Sequence, residues 1–148
     1  MRRLLVLCSS VLFLAAGCGE GEVASGARVS VYAPASLCGE ARAVGRTRGW
    51  KVDGLTVRLV CLPPPERNGR ADLAVAGANA RRATEDSTSV AFLEEPTPAA
   101  GFSRSIVEAA DIAWIEAPSG AAAMRQVIEA LEERGSSTPR RAVLDQIG

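Results

Sequence analysis

From Arg28 onward the chain alternates short β-branched runs with alanine-rich amphipathic stretches. The run "RVSVYAP" predicts a strand that stops at Pro34, and "LCGEARAVGRTRG" behind it predicts a short helix ended by glycines. "LTVRLVCLP" reads as a second strand, closed by Pro63, Pro64 and Pro65. "RADLAVAGANARRATED" sets Leu73, Ala76, Ala80 and Ala83 at helical spacing, with Arg81, Arg82, Glu85 and Asp86 on other faces. "TSVAFLEEP" is the third strand, "AGFSRSIVEAAD" the next helix and "IAWIEAP" the fourth strand. "GAAAMRQVIEALEERG" carries the clearest stripe, Met124, Val127, Ile128 and Leu131, and Gly135 ends it.

Four strands interleaved with helices predict an α/β fold, a Rossmann-like three-layer domain around a four-stranded, mainly parallel sheet with right-handed crossovers. Arg58, inside the otherwise apolar second strand, predicts an edge or an end of that sheet. Ligands of such sheets sit beyond the C-terminal ends of the strands, where the strand order switches. Function is therefore expected in "APASLCG", "CLPPPERNGR", "EEPTPAAG" and "EAPSGAAA".

The segment ahead of Arg28 has a different character. The uncharged run from Leu4 to Leu14 follows Arg2 and Arg3 and is too short for a bilayer span of roughly 20 residues, so it reads as a signal peptide. It ends in "LAAGC", which resembles the bacterial lipobox, whose cysteine is diacylated and becomes the new N-terminus; Ala15 stands where leucine is usual. The resemblance implies a lipoprotein signal peptide over residues 1–17 and Cys18 as the lipidated residue, on the extracytoplasmic face of a bacterial plasma membrane. An ordinary secretory signal with a chance cysteine is the alternative. Residues 18–27, containing "GEGEVASG", have the composition of a flexible tether.

About 130 residues then remain, the size of one domain with one core. The chain balances 17 basic against 17 acidic side chains, and loss of Arg2 and Arg3 leaves 15 against 17. No clustered basic face points to nucleic acid. The chain has no histidine, which excludes Ser-His and Cys-His nucleophile pairs and the common histidine zinc sites. A P-loop, a Gly-x-Ser-x-Gly elbow and a Gly-x-Gly-x-x-Gly turn after the first strand are missing too. Glu94, Glu95 and Glu116 at strand ends could act as acid and base or hold a hard metal, but carboxylates there are far more often solvated charge. The expectation is a non-enzyme without a cofactor or metal. Once Cys8 leaves with the signal and Cys18 takes lipid, Cys38 and Cys61 remain, either as a disulfide or as two buried thiols.

The block from Asn79 to Gly120 carries a resemblance. Its helix end "ATED", strand "VAFLEE", hydroxyl loop "PTPAAGFS" and strand-and-turn "DIAWIEAPSG" resemble, in order and spacing, the N-terminal lobe of type 1 periplasmic binding proteins, the leucine and branched-chain amino-acid branch. The preceding "VRLVCLP" and "ADLAVAGANARRA" match that family's second strand and following helix. The resemblance implies a solute-binding lobe over 28–135 and a short C-terminal helix over 136–148, capped by Ser or Thr before Pro139. It also implies that the ammonium and carboxylate of a small solute such as an amino acid are gripped by Thr97 and by Ser119 with Gly120, since hydroxyls serve either charge and helix N-termini add N–H groups. Helix capping or turn formation explains the same hydroxyls.

Two departures modify that expectation. Glu94 and Glu95 stand where many members have glycine and an uncharged residue, and only one lobe's worth of chain is present, as though the second lobe were deleted between Gly120 and the final helices. The expected product is a lipid-anchored relative of ABC-transporter receptors whose ligand binding is weak or lost, with an ABC permease as partner and a homodimer that covers an open sheet. A structural or protein-interaction lipoprotein on the same scaffold is the alternative.

Overall fold

The computed structural model describes residues 27–147; the expected signal peptide, Cys18, the tether up to residue 26 and Gly148 lie outside the described residues. Strand β1 (Arg28–Pro34) leads straight into helix α1 (Ala35–Thr47), because Pro34 ends the strand and presets the turn into the helix. A hairpin of β2 (Lys51–Val52) and β3 (Leu55–Leu62) follows, then a small hairpin of β4 (Glu66–Arg67) and β5 (Arg70–Ala71). Helix α2 (Leu73–Thr84), strand β6 (Ser89–Glu94), helix α3 (Ala100–Glu108), strand β7 (Ala113–Glu116), helix α4 (Gly120–Glu132) and helix α5 (Pro139–Ile147) complete the order.

The main sheet runs β2-β3-β1-β6-β7, with β3, β1, β6 and β7 parallel and β2 antiparallel to β3. The fold is therefore α/β, and the sheet is five-stranded and mixed where four strands were expected. The extra strand comes from "VDGL": Asp53 and Gly54 take positive φ of 44° and 77°, the geometry of a tight two-residue hairpin turn. Asn68 and Gly69, at φ 53° and 72°, do the same between β4 and β5. Strand β2 pairs only with Leu55 and Thr56, so Arg58 lies where β3 is the sheet edge, as its charge predicts.

Helices α1, α4 and α5 cover one face and α2 and α3 the other. The first face buries Val29, Val31, Ala33 and Leu93 of the strands against Leu37, Ala41 and the α4 stripe of Met124, Val127, Ile128 and Leu131. The second buries Tyr32, Leu62 and Phe92 against Ala80, Ala83, Val107 and Ile112. Of the residues at helical spacing in α2, Ala76, Ala80 and Ala83 are buried, but Leu73 is half exposed because it opens the helix beyond the end of the sheet. Cys38 and Cys61 form a disulfide, Cα to Cα 5.9 Å, that ties the first turn of α1 to the end of β3. On the chain-entropy model such a loop stabilises the fold by about 3 kcal/mol. Thr138 caps α5, its hydroxyl accepting from the Arg141 N–H at 3.3 Å. No described helix is long and apolar enough to cross a membrane.

Candidate functional site at the C-terminal edge of the sheet

The chain leaves β1 through α1 on one face and returns to the other side of β1 through α2 on the opposite face, so the strand order switches between β1 and β6. The start of α1 and the turns after β6 and β7 lie at that edge. Ser36, in the first turn of α1, donates its hydroxyl to Glu95 Oε2 at 3.0 Å, directly across the switch. No side chain caps the α1 N-terminus. Ser36 lies within the strand-end stretch "APASLCG", where a lone serine carries no spacing signal that would single it out.

Thr97 lies in the turn between β6 and α3, where its carbonyl accepts from the Ala100 N–H at 3.0 Å. Its hydroxyl oxygen is buried and has no hydrogen-bond partner among the described residues. Ser119 is the N-cap of α4 and accepts from the Ala122 N–H at 3.2 Å. The cap uses a lone pair of the hydroxyl and leaves its proton free to be donated. Gly120 is a packing residue: a Cβ there would collide with the Leu37 carbonyl and reach 3.0 Å from the Ala41 nitrogen, so α4 starts directly on the backbone of α1. The close approach requires glycine irrespective of any ligand.

The two adjacent glutamates part company, as successive strand residues do. Glu94 is 2% exposed and turns toward α3, accepting from the Ser103 hydroxyl at 3.1 Å and from Trp114 Nε1 at 3.0 Å. Burial pushes its carboxyl above the usual carboxylate range, with Glu116 on the neighbouring strand adding to the shift and the two donors only partly opposing it. Arg104 lies 5.0 Å from the Trp114 ring centroid, its charge engaged by the indole and by Glu108. Glu95 alone is directed at the switch. No three metal-binding side chains stand together among the described residues. A concavity of about 710 Å³ lies elsewhere, beside the β4–β5 hairpin and the start of α2, lined by Asn68, Arg70, Ala71, Asp72 and Leu73.

The opposite end of the sheet holds a second polar cluster. Asp86, just before β6, accepts from the Tyr32 hydroxyl at 2.7 Å, from Arg58 Nη2 at 2.7 Å, and from the N–H and hydroxyl of Thr88 at 2.9 and 2.7 Å. Burial acts to raise the Asp86 carboxyl, yet the hydrogen bonds from Thr88, Tyr32 and Ser30 outweigh it and hold the group far below the carboxylate range. Tyr32 is pushed up to about 12 by burial and by its bond to that anion. The Asp86 carboxylate is engaged by four protein donors, while the buried Ser89 hydroxyl at this end has no hydrogen-bond partner among the described residues. Comparison with protein-family models, curated proteins and solved structures finds no match to the chain.

Proposed function

We propose that the chain is a lipid-anchored extracytoplasmic module of the type 1 solute-binding kind, related to ABC-transporter receptors for branched-chain amino acids. It works as a single lobe that captures a small zwitterionic solute weakly. One observation carries this reading: the strand order switches between β1 and β6, and Ser36 in the first turn of α1, Thr97 in the β6–α3 turn and Ser119 at the N-cap of α4 stand at that edge of the sheet. The hydroxyls of Thr97 and Ser119 and the N–H groups of α1 suit a carboxylate, and Glu95 suits an ammonium. Capture is weak for two reasons. A lone lobe leaves the ligand wet on its other side, and Glu95 repels a carboxylate placed beside it. Affinity on the order of millimolar follows, about 4 kcal/mol of binding.

The test is a melting-temperature titration of the mature domain with leucine, isoleucine and valine, with mass in solution recorded on the same sample. A saturable rise at millimolar ligand, reduced at least threefold in Thr97→Val, is expected. No rise at millimolar ligand, or an equal rise in the wild type and Thr97→Val, overturns solute capture. The second reading, a protein-interaction lipoprotein on the same scaffold, is favoured by the half-exposed Leu73 and Phe102 beside the same edge.

A further inference from the structure

We propose that the Cys38–Cys61 bridge is a reducible latch on the switch-point edge, opened by a dithiol that attacks Cys61. The idea goes beyond solute capture and stands whether or not a solute binds. Its two sulfurs are unequal. Cys38 is 4% exposed and sits in the first turn of α1, whereas Cys61 is only partly buried at the end of β3. Arg42, one helical turn after Cys38, directs Nη2 to Cys61 Sγ at 3.2 Å. A guanidinium at Cys61 draws an attacking thiolate to that sulfur and stabilises the Cys61 thiolate once it is released, and so favours the reduced state of the pair.

The bridge is also attached to something that matters for the edge. Ser36, two residues before Cys38, is the residue that bonds Glu95 across the switch. Leu37 and Ala41 are buried in the core, and the Leu37 carbonyl is packed under Gly120, so α1 has anchors of its own when the bridge is open. Opening therefore loosens the first turn of α1 against the end of β3 without releasing the helix.

The exchange balances with a dithiol as the reductant. One thiolate of the dithiol bonds to Cys61 Sγ, the Cys38–Cys61 bond breaks, and its electron pair leaves on Cys38 Sγ, which takes a proton. The second dithiol sulfur then bonds to the first and displaces Cys61, whose thiolate pairs with Arg42. Cys38 ends as a thiol and Cys61 as a thiolate, one proton is released to solvent, and the dithiol is oxidised to its cyclic disulfide.

The experiment treats the oxidised full chain with dithiothreitol at pH 7 without denaturant, quenches with iodoacetamide and maps the alkylated peptides over time. Reduction of Cys38–Cys61 should proceed at least threefold more slowly in Arg42→Gln, with the rate restored in Arg42→Lys. The reduced protein should keep its far-UV circular dichroism, while amide exchange rises tenfold or more in peptides over 35–42 and 59–65 and elsewhere stays constant. Equal rates in the wild type and Arg42→Gln overturn the proposal. So do loss of the dichroism on reduction, which makes the bridge a plain staple, and unchanged exchange over 35–42.

Discussion

At the N-terminal end of the sheet, Asp86 collects a guanidinium, a phenol, a hydroxyl and a backbone N–H, and is held as an anion. At the C-terminal end of the same strand, Glu94 receives two neutral donors and no cation, and burial drives it toward the neutral acid. Nearby Thr97 leaves a hydroxyl unmatched, and Glu95 is bonded to a single serine. The Asp86 carboxylate is thus spent on four protein donors, whereas the Glu95 carboxylate keeps capacity. The difference teaches that polar content alone does not mark a site; unspent hydrogen-bonding capacity does.

The largest effect should come from breaking the Asp86 cluster. Asp86→Ala leaves Arg58, Tyr32 and Thr88 without their shared acceptor and should cost about 3 kcal/mol in urea unfolding, since bonds to a charged group are worth more than neutral ones. A cost below about 1 kcal/mol would show that solvent replaces the acceptor freely. Gly120→Ala comes next: the added methyl forces α4 off the α1 backbone and should cost about 2 kcal/mol. A melting temperature equal to that of the parent would show that the contact relaxes.

The smallest effect, and the sharpest contrast, is in pH dependence. Because Asp86 is lowered by folding, its stabilisation is present above its ordinary value of 3.8 and is lost as pH falls below that toward its folded value. Because Glu94 is raised, its contribution is full below the ordinary 4.5 and is lost as pH rises through its higher folded value. Melting temperatures recorded from pH 2 to 8 should show Asp86→Asn flattening the acid limb and Glu94→Gln flattening the decline on the other side. A Glu94→Gln profile parallel to the parent's would mean that the carboxyl is solvated.

Much of the fold was legible because the core was written in periodicity. The α4 stripe from Met124 to Leu131 and the strands around Val31, Leu59, Leu93 and Ile115 need only spacing and length to be recognised. Strand β2 was missed because two residues give no period, although "DG" between apolar residues was a hairpin signal in plain view. The site was less legible. Thr97 and Ser119 fall on the right edge by position, but the sequence does not say that Ser119 caps a helix while Thr97 stays unpartnered. Nor does it distinguish Glu94 from Glu95, which depends on the facing Trp114 and Ser103, 20 and 9 residues away.

The direction of β1 has a bearing on how the molecule stands. Its first residue, Arg28, lies at the base of the parallel strands, and its last, Pro34, lies at the edge where Ser36 meets Glu95. Seven extended residues span about 20 Å. The chain therefore enters the domain at the end of the sheet opposite that rim. Point of entry and Ser36–Glu95 rim are thus separated by the full length of the central strand, so a change made at one end reaches the other only through the core.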